Sequence, residues 1–161
     1  MPPHLSPRMT RLPTAIALCL AGSLVSDPAV AWQKGEVIEG RATAKDGDGI
    51  VIRGTEVRMQ GIAAPEDNGY RVEAGGPEAT RALSSLVNGE IVTCRLDGTS
   101  ARGRPVGICY LDDRDLGAVL IRNGYARDCP RYSSGRYRDL ERQAQADGED
   151  LSAIYDLPGY C

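Results

Sequence analysis

Short apolar blocks alternate with glycine-rich turns along the first two thirds of the chain. The first three blocks are separated by Asp46-Gly47-Asp48-Gly49 and Arg53-Gly54-Thr55, and a loop rich in glycine and arginine separates the last two. β-Favouring runs bounded by such turns are typical of strands. The pattern therefore predicts five strands, over residues 37–44, 49–53, 56–62, 90–96 and 105–111.

Helical spacing of apolar residues marks three other segments. They begin at Pro77, after Asp115, and after Ser133 or Ser134, and the first two end at Asn-Gly pairs. Proline inside the first turn, aspartate as N-cap and glycine after the last turn are favourable helix boundaries. This order of elements predicts a mainly β fold with helices (α+β), a five-stranded Greek-key barrel of the OB type with about three helices.

Length and composition fit one ordinary domain. The chain has 161 residues, of which 42% are apolar and 25% charged. These values exclude disordered, collagen-like and coiled-coil proteins. The formal net charge of −3 gives no basic field over the surface. Any site for a polyanion must therefore depend on a local cluster of arginines.

The N-terminal segment is typical of a secretory signal peptide. Two arginines precede an apolar run over residues 15–25, and Ala29-Val30-Ala31 follows as a small-x-small cleavage site. The run is well short of the roughly 20 residues that a membrane-spanning helix needs. We expect translation from Met1 or Met9, a signal over residues 1–31, and an exported protein, periplasmic or secreted, without stable membrane insertion after cleavage.

Cleavage would leave one domain over residues 32–161 without a histidine, because His4 is the only one. Hydrolytic chemistry would then have to use carboxylates and arginines. Four cysteines would remain, without C-x-x-C spacing, which predicts two disulfides in an exported chain. Three pairings are possible, with core packing of free cysteines as the alternative. Antiparallel pairing of the last two strands favours Cys94–Cys109, which leaves Cys129–Cys161.

Several polar residues are candidates for chemistry, although each alone has a simpler explanation. The Asp46-Gly47-Asp48 turn offers two carboxylates to a cation, but it also suits a plain hairpin and does not continue as an EF-hand. Arg58 lies in a predicted strand, Glu66 follows Pro65, and Arg104 opens the fifth strand. Their combination in this order is more informative than any one of them.

This ordered series resembles the staphylococcal-nuclease-like, or thermonuclease, family. The resemblance covers roughly residues 36–151. The matching segments are Lys45-Asp46-Gly47-Asp48-Gly49, Val57-Arg58-Met59-Gln60-Gly61-Ile62-Ala63-Ala64-Pro65-Glu66, Gly76-Pro77-Glu78-Ala79, Arg102-Gly103-Arg104, Asp115-Leu116 and Leu120-Ile121-Arg122-Asn123-Gly124-Tyr125-Ala126.

The resemblance implies an OB-fold barrel and Ca²⁺-dependent hydrolysis of DNA and RNA phosphodiesters. On the family pattern, Asp48 binds Ca²⁺, Arg58 and Arg104 clamp the phosphate, and Glu66 assists the attacking water. Guanidiniums can stabilise charge on phosphoryl oxygens, and a carboxylate can position or deprotonate water without a histidine. The family can also place an aromatic ring against the nucleotide, here Tyr132, for which packing near Cys129 is an equal alternative.

Position 63 departs from the family pattern. The family has a second Ca²⁺-binding aspartate where this chain has Ala63, and threonine is common where it has Gly49. Calcium affinity depends on the number of charged ligands. We therefore expect a weak Ca²⁺ site, with Asp46 or Asp67 as candidate replacements, and activity only at high Ca²⁺. The same reasoning predicts that Ala63→Asp lowers the Ca²⁺ requirement.

The sequence thus predicts an exported, monomeric, Ca²⁺-dependent phosphodiesterase with nucleic acid as its substrate. Its alternative is a catalytically silent OB-fold module of the cell envelope that binds a polyanion or a protein, for example in support of exopolysaccharide production. Ala63 and the acidic net charge motivate that alternative. A purely structural secreted domain held by two disulfides is the third and weakest interpretation.

Overall fold

The computed structural model describes residues 31–161. The predicted signal peptide lies outside the described residues, apart from Ala31. Within the described part of the chain, no helix is both long enough and apolar enough to cross a membrane.

Eight strands and four helices form the described chain. The strands are β1 (Lys34–Ala44), β2 (Gly49–Ile52), β3 (Thr55–Met59), β4 (Ile62–Ala63), β5 (Ile91–Ala101), β6 (Arg104–Leu111), β7 (Arg114–Asp115) and β8 (Arg127–Asp128). The helices are α1 (Gly76–Val87), α2 (Leu116–Arg122), α3 (Pro130–Ser133) and α4 (Arg138–Asp147).

Five strands close into a barrel in the order β3-β2-β1-β5-β6. Neighbours are antiparallel except at the closure, where β3 and β6 pair in parallel with Arg58 opposite Val106. The two-residue strands lie outside this ring, with β7 beside β6 and β4 beside β8. The predicted five-stranded OB-type α+β fold is therefore confirmed.

Some element boundaries differ from the predicted ones. Strands β5 and β6 extend through most of the predicted loop, so that only Arg102 and Gly103, both at positive φ, form the turn. The last helix begins at Arg138 rather than directly after Ser133 or Ser134, because Ser134 adopts a left-handed conformation that ends the short helix α3. Sequence patterning misplaced these ends because short turns depend on the backbone geometry of a few residues.

The main core fills the barrel and the space between it and helices α1 and α2. Its members are the buried apolar residues of all five barrel strands and of the inward faces of these helices. The Cys94–Cys109 disulfide joins opposed residues of β5 and β6 inside this core. The Cys129–Cys161 disulfide ties the last residue to the loop between β8 and α3. Both predicted pairings are thus present in the structure.

A second, smaller apolar cluster lies outside the barrel core. Ala63 of β4 packs there with Leu151 and Tyr155, and Leu157 and Cys161 border it. We call residues 149–161 the C-terminal segment. The disulfide at Cys161 therefore holds a segment that covers one side of β4.

Candidate active site

Arg58 and Arg104 come together because the barrel closes through a parallel strand pair. Arg58 lies opposite Val106 in the β3–β6 register, which places Arg104 opposite Glu56, two residues earlier on the same strand as Arg58. Residues two apart on a strand share a face of the sheet. The two predicted phosphate-binding arginines therefore point from adjacent strands to one side of the barrel.

Arg104 is held in place by an ion pair across this closure. Its Nη1 donates to Glu56 Oε1 at 2.8 Å, and its Nε donates to the Ala101 carbonyl oxygen at 3.3 Å. About a quarter of its side chain is exposed. The guanidinium is thus oriented by protein groups while part of it faces solvent, where a phosphate can reach it.

The Asp46-Gly47-Asp48 turn lies beside Arg58. A Cβ on Gly47 would lie only 2.6 Å from the Ala64 Cβ and 2.8 Å from the Ala79 Cβ, so the turn can approach these neighbours only with glycine in this position. Both aspartates are 7% exposed. The backbone N–H of Asp48 donates to Asp46 Oδ1 at 3.2 Å, which folds the Asp46 carboxylate back over the turn.

Both oxygens of the Asp48 carboxylate have protein partners. Oδ1 forms an ion pair with Arg58 Nη1, and Oδ2 accepts from the Ala64 backbone N–H at 2.9 Å. The Arg58 Nη2 also donates to the Ile62 carbonyl oxygen at 3.1 Å. Asp48 and Arg58 thereby fix the chain between β3 and β4 against the turn.

Burial shifts the pKa values of two groups in this site. It raises the pKa of the Asp46 carboxyl above its usual value, and the positive charges of Arg58 and Arg104 only partly offset this effect. Burial likewise lowers the pKa of the Arg58 guanidinium. Asp46, Glu66 and Arg104 all act electrostatically on Arg58, so these groups form one charge cluster around it.

Glu66 begins a small loop that leaves the barrel after β4. The loop is closed by reciprocal bonds, since the Glu66 N–H donates to Glu73 Oε2 and the Glu73 N–H donates to the Glu66 carbonyl oxygen, each at 2.9 Å. Asn68 Nδ2 donates to Glu66 Oε2 at 2.8 Å. The carboxylate is partly exposed and held by one side chain, which leaves its other oxygen available to a water molecule.

The remaining predicted residues have other partners in the structure. Tyr132 is 49% exposed on α3, and its carbonyl oxygen accepts from Gln60 Nε2 at 2.5 Å. Asp67 pairs with Val72 across the loop. Arg127 of β8 donates to Glu141 and to the Tyr155 carbonyl oxygen.

Calcium is the cation that the family resemblance implies, and the donor type here fits it. Asp46 and Asp48 offer hard oxygen ligands, and four carboxylates surround two guanidiniums, an excess of negative charge that a divalent cation would offset. Between residues 31 and 161, however, no three His, Cys, Asp or Glu side chains are grouped to hold a metal ion. A cation would therefore depend on Asp46, Asp48 and non-carboxylate oxygens.

Gly49 is part of the reason that Asp46 can lie in this position. A Cβ on residue 49 would be 2.7 Å from Asp46 Oδ1, closer than a side chain at this position allows. The absence of threonine at residue 49 and the position of Asp46 are thus linked. The local sequence alone did not indicate this relation, because it depends on how the turn folds back on itself.

Sequence reasoning missed the aromatic residues that the C-terminal segment brings to the site. The Tyr155 hydroxyl donates to the carbonyl oxygen of Ala64 at 3.2 Å, the same residue whose N–H binds Asp48. Tyr160 is the largest contribution that opposes the effect of burial on the pKa of Arg58. The one sequence signal was the predicted Cys129–Cys161 disulfide, which required the end of the chain to return to the body of the domain.

Comparison with known proteins agrees with this geometry. The profile described as "Staphylococcal nuclease homologue" matches residues 56–151. The chain is also 31% identical over 160 residues to the protein named "Succinoglycan biosynthesis protein ExoI" of Rhizobium meliloti (strain 1021), covering 91% of this chain and 81% of that protein. With its five-stranded barrel and the motif residues gathered around Arg58, the chain belongs to the staphylococcal nuclease homologue family.

Proposed function

We propose that this chain binds and hydrolyses nucleic-acid phosphodiesters with the help of a divalent cation, Ca²⁺ in the first place. The observation that carries the proposal is the closure of the barrel, which directs Arg58 and Arg104 to one side. Glu66, in the loop after β4, acts electrostatically on Arg58. Two guanidiniums can bind a phosphoryl group, and a nearby carboxylate can position the water that attacks it.

Each residue has a separate part in the proposed reaction. Arg58 would exchange the Asp48 oxygen for a phosphoryl oxygen, and Arg104 would donate to a second phosphoryl oxygen while Glu56 keeps it oriented. Glu66 would hold the attacking water and accept its proton, since one of its oxygens lacks a protein donor among the described residues. The water oxygen would bond to phosphorus as the ester P–O bond breaks, and the released sugar oxygen would take a proton from solvent water. A cation at Asp46 and Asp48 would supply further positive charge beside the phosphate.

The charge count explains why a cation belongs in this proposal. A phosphodiester is an anion, and the groups around Arg58 already carry more carboxylates than guanidiniums. Without further positive charge, substrate approach would be opposed electrostatically. The proposal therefore includes a steep dependence of activity on the divalent cation.

Cleavage of single-stranded DNA by the oxidised chain from Trp32 to Cys161 tests the proposal. Cleavage should rise with Ca²⁺, stop in EDTA and fall by ~10²–10³ in Arg104→Ala, because that change removes a donor to the charge formed in the transition state. Arg102→Ala is the matched control, since Arg102 is exposed at the adjacent turn. A folded sample without cleavage at any Ca²⁺ concentration would refute hydrolysis.

A second candidate function is a non-hydrolytic envelope module that binds an anionic polymer. The buried Ala63, in place of a metal-binding carboxylate, favours it. So does the similarity to a protein named for succinoglycan biosynthesis. Binding of an oligonucleotide or an acidic polysaccharide without turnover, unchanged in Glu66→Gln, would support this candidate over hydrolysis.

A further inference from the structure

The C-terminal segment is built into the side of the site rather than attached to a distant face. Leu151 and Tyr155 pack on Ala63, and the Tyr155 hydroxyl donates to the Ala64 carbonyl oxygen. A Cβ on Gly75 would lie 3.1 Å from the Leu151 Cδ2 and 3.5 Å from the Pro65 Cγ. The segment thus contacts the chain on both sides of the loop that starts at Glu66.

The end of the segment is fixed by three covalent or backbone constraints. Cys161 is bonded to Cys129, its carbonyl oxygen accepts from the Arg131 N–H at 3.1 Å, and its N–H donates to the Pro158 carbonyl oxygen at 2.8 Å. The bond to Pro158 closes a tight turn, and the bond from Arg131 joins that turn to α3. Tyr160 lies within that turn, so its backbone has little freedom to move.

These constraints fix Tyr160 relative to β4, which Arg58 contacts through the Ile62 carbonyl oxygen. Its neighbour Cys161 borders the cluster around Ala63, and Arg58 donates to the carbonyl oxygen of the adjacent Ile62. Burial lowers the pKa of Arg58, and Tyr160 is the largest contribution that opposes this shift. Burial raises the pKa of Tyr155, and Tyr160 is the next largest contribution. Tyr160 is 47% exposed, whereas the Arg58 side chain is largely buried.

We infer that Tyr160 is a substrate-contacting residue whose hydroxyl donates to a phosphoryl oxygen bound at Arg58, and that the Cys129–Cys161 disulfide keeps it there. The inference rests on the proposed function. A phenol can donate to a phosphate oxygen and present a ring to a base at the same time. Through Tyr160, the C-terminal segment would supply a hydrogen bond to the phosphate on the side of the site where the alanine at position 63 has no polar side chain.

The test measures binding separately from turnover. A fluorescein-labelled single-stranded oligodeoxynucleotide is titrated with the Glu66→Gln protein in Ca²⁺, and fluorescence anisotropy gives its Kd. Tyr160→Phe should raise this Kd about 10-fold, as expected for loss of a hydrogen bond to a charged group. Tyr125→Phe is the matched control, because this exposed tyrosine lies beside Glu78 and Arg81 of α1 and should leave the Kd unchanged.

Two outcomes separate this inference from the proposed function. Absence of any binding by the Glu66→Gln protein would refute phosphodiester recognition and this inference with it. Normal binding with a Kd that changes less than about twofold in Tyr160→Phe would refute the role of Tyr160 alone. In the cleavage-competent protein the same substitution should raise KM more than it lowers kcat, which a merely structural residue would not do.

The disulfide is tested by a double-mutant cycle. Cys129→Ala with Cys161→Ala should weaken binding at least as much as Tyr160→Phe, and adding Tyr160→Phe to it should have no further effect, because the untethered tyrosine no longer reaches the phosphate. If Tyr160→Phe raised the Kd by the same factor with and without the disulfide, the disulfide would not be what holds Tyr160 in position. If the unbridged protein does not fold, the Tyr160→Phe measurement in the intact protein still decides the main claim.

Discussion

Ala63→Asp restores the carboxylate of the family pattern, yet the structure predicts that it damages the protein. The Ala63 side chain is completely buried and packs against Leu151 and Tyr155 of the C-terminal segment. A carboxylate introduced there has to displace these groups or lose its hydration. The sequence alone led to the opposite expectation, a lower Ca²⁺ requirement, because it does not show what lies beside residue 63.

The expected magnitude follows from the burial of this position. An unpaired buried charge costs several kcal/mol, and a buried neutral amide costs ~1–3 kcal/mol. We therefore expect Ala63→Asp to lower the free energy of unfolding by about 4 kcal/mol at neutral pH. Ala63→Asn introduces a side chain of nearly the same size and shape as aspartate but without charge, and should lower it by about 2 kcal/mol. The difference between the two variants isolates the charge from the added volume.

The pH dependence has a definite sign. Burial raises the pKa of the introduced carboxyl in the folded protein above its unfolded value of about 3.9. The loss of stability in Ala63→Asp is therefore smallest below that pH, where the carboxyl is protonated in the folded and the unfolded protein. The free energy of unfolding falls as the pH rises through the folded pKa. Ala63→Asn should show no such change.

Urea denaturation of both variants at acidic and neutral pH, with and without Ca²⁺, measures these effects. The reasoning would be refuted by an Ala63→Asp protein that is as stable as Ala63→Asn at neutral pH. It would also be refuted if Ca²⁺ stabilised Ala63→Asp alone and the variant cleaved DNA at lower Ca²⁺, since the carboxylate would then reach the cation past the C-terminal segment.

Two further predictions concern the C-terminal segment and the disulfides. Burial raises the pKa of Tyr155 from 10.0 to about 12, so the stability that its neutral phenol provides is complete below pH 10 and is lost as the pH rises towards 12. Tyr155→Phe should lower the free energy of unfolding by about 1 kcal/mol at neutral pH, measured by urea denaturation. Above pH 10 this free energy should fall less steeply with pH in the variant than in the unmodified protein, and equal slopes would contradict the prediction. The disulfides close chain separations of 15 and 32 residues, so removing Cys94–Cys109 or Cys129–Cys161 by paired alanines should cost roughly 3 and roughly 4 kcal/mol. A loss below about 1 kcal/mol for either pair in the same assay would contradict the chain-entropy account.

Local patterns were sufficient for most of the fold. Alternation and turn residues located the five barrel strands, and Pro77 and Asp115 marked the starts of α1 and α2, because strand alternation and helix caps depend on neighbours in the chain. The end of α3 and the start of α4 were less predictable. Ser134 adopts a left-handed conformation and Tyr137 is buried with its hydroxyl donating to Asp115, a contact from another part of the chain.

The sequence by itself determined which side chains are available for chemistry. It provides Arg58, Glu66 and Arg104 in the family's order and no carboxylate at position 63. Only the tertiary structure decided how they are used, because parallel closure of β3 on β6 brings the arginines together and the turn at Gly49 directs Asp46 inward. The tertiary structure also decided that the C-terminal segment packs against the Ala63 side chain. Such contacts join residues far apart in the chain, and no local pattern specifies them.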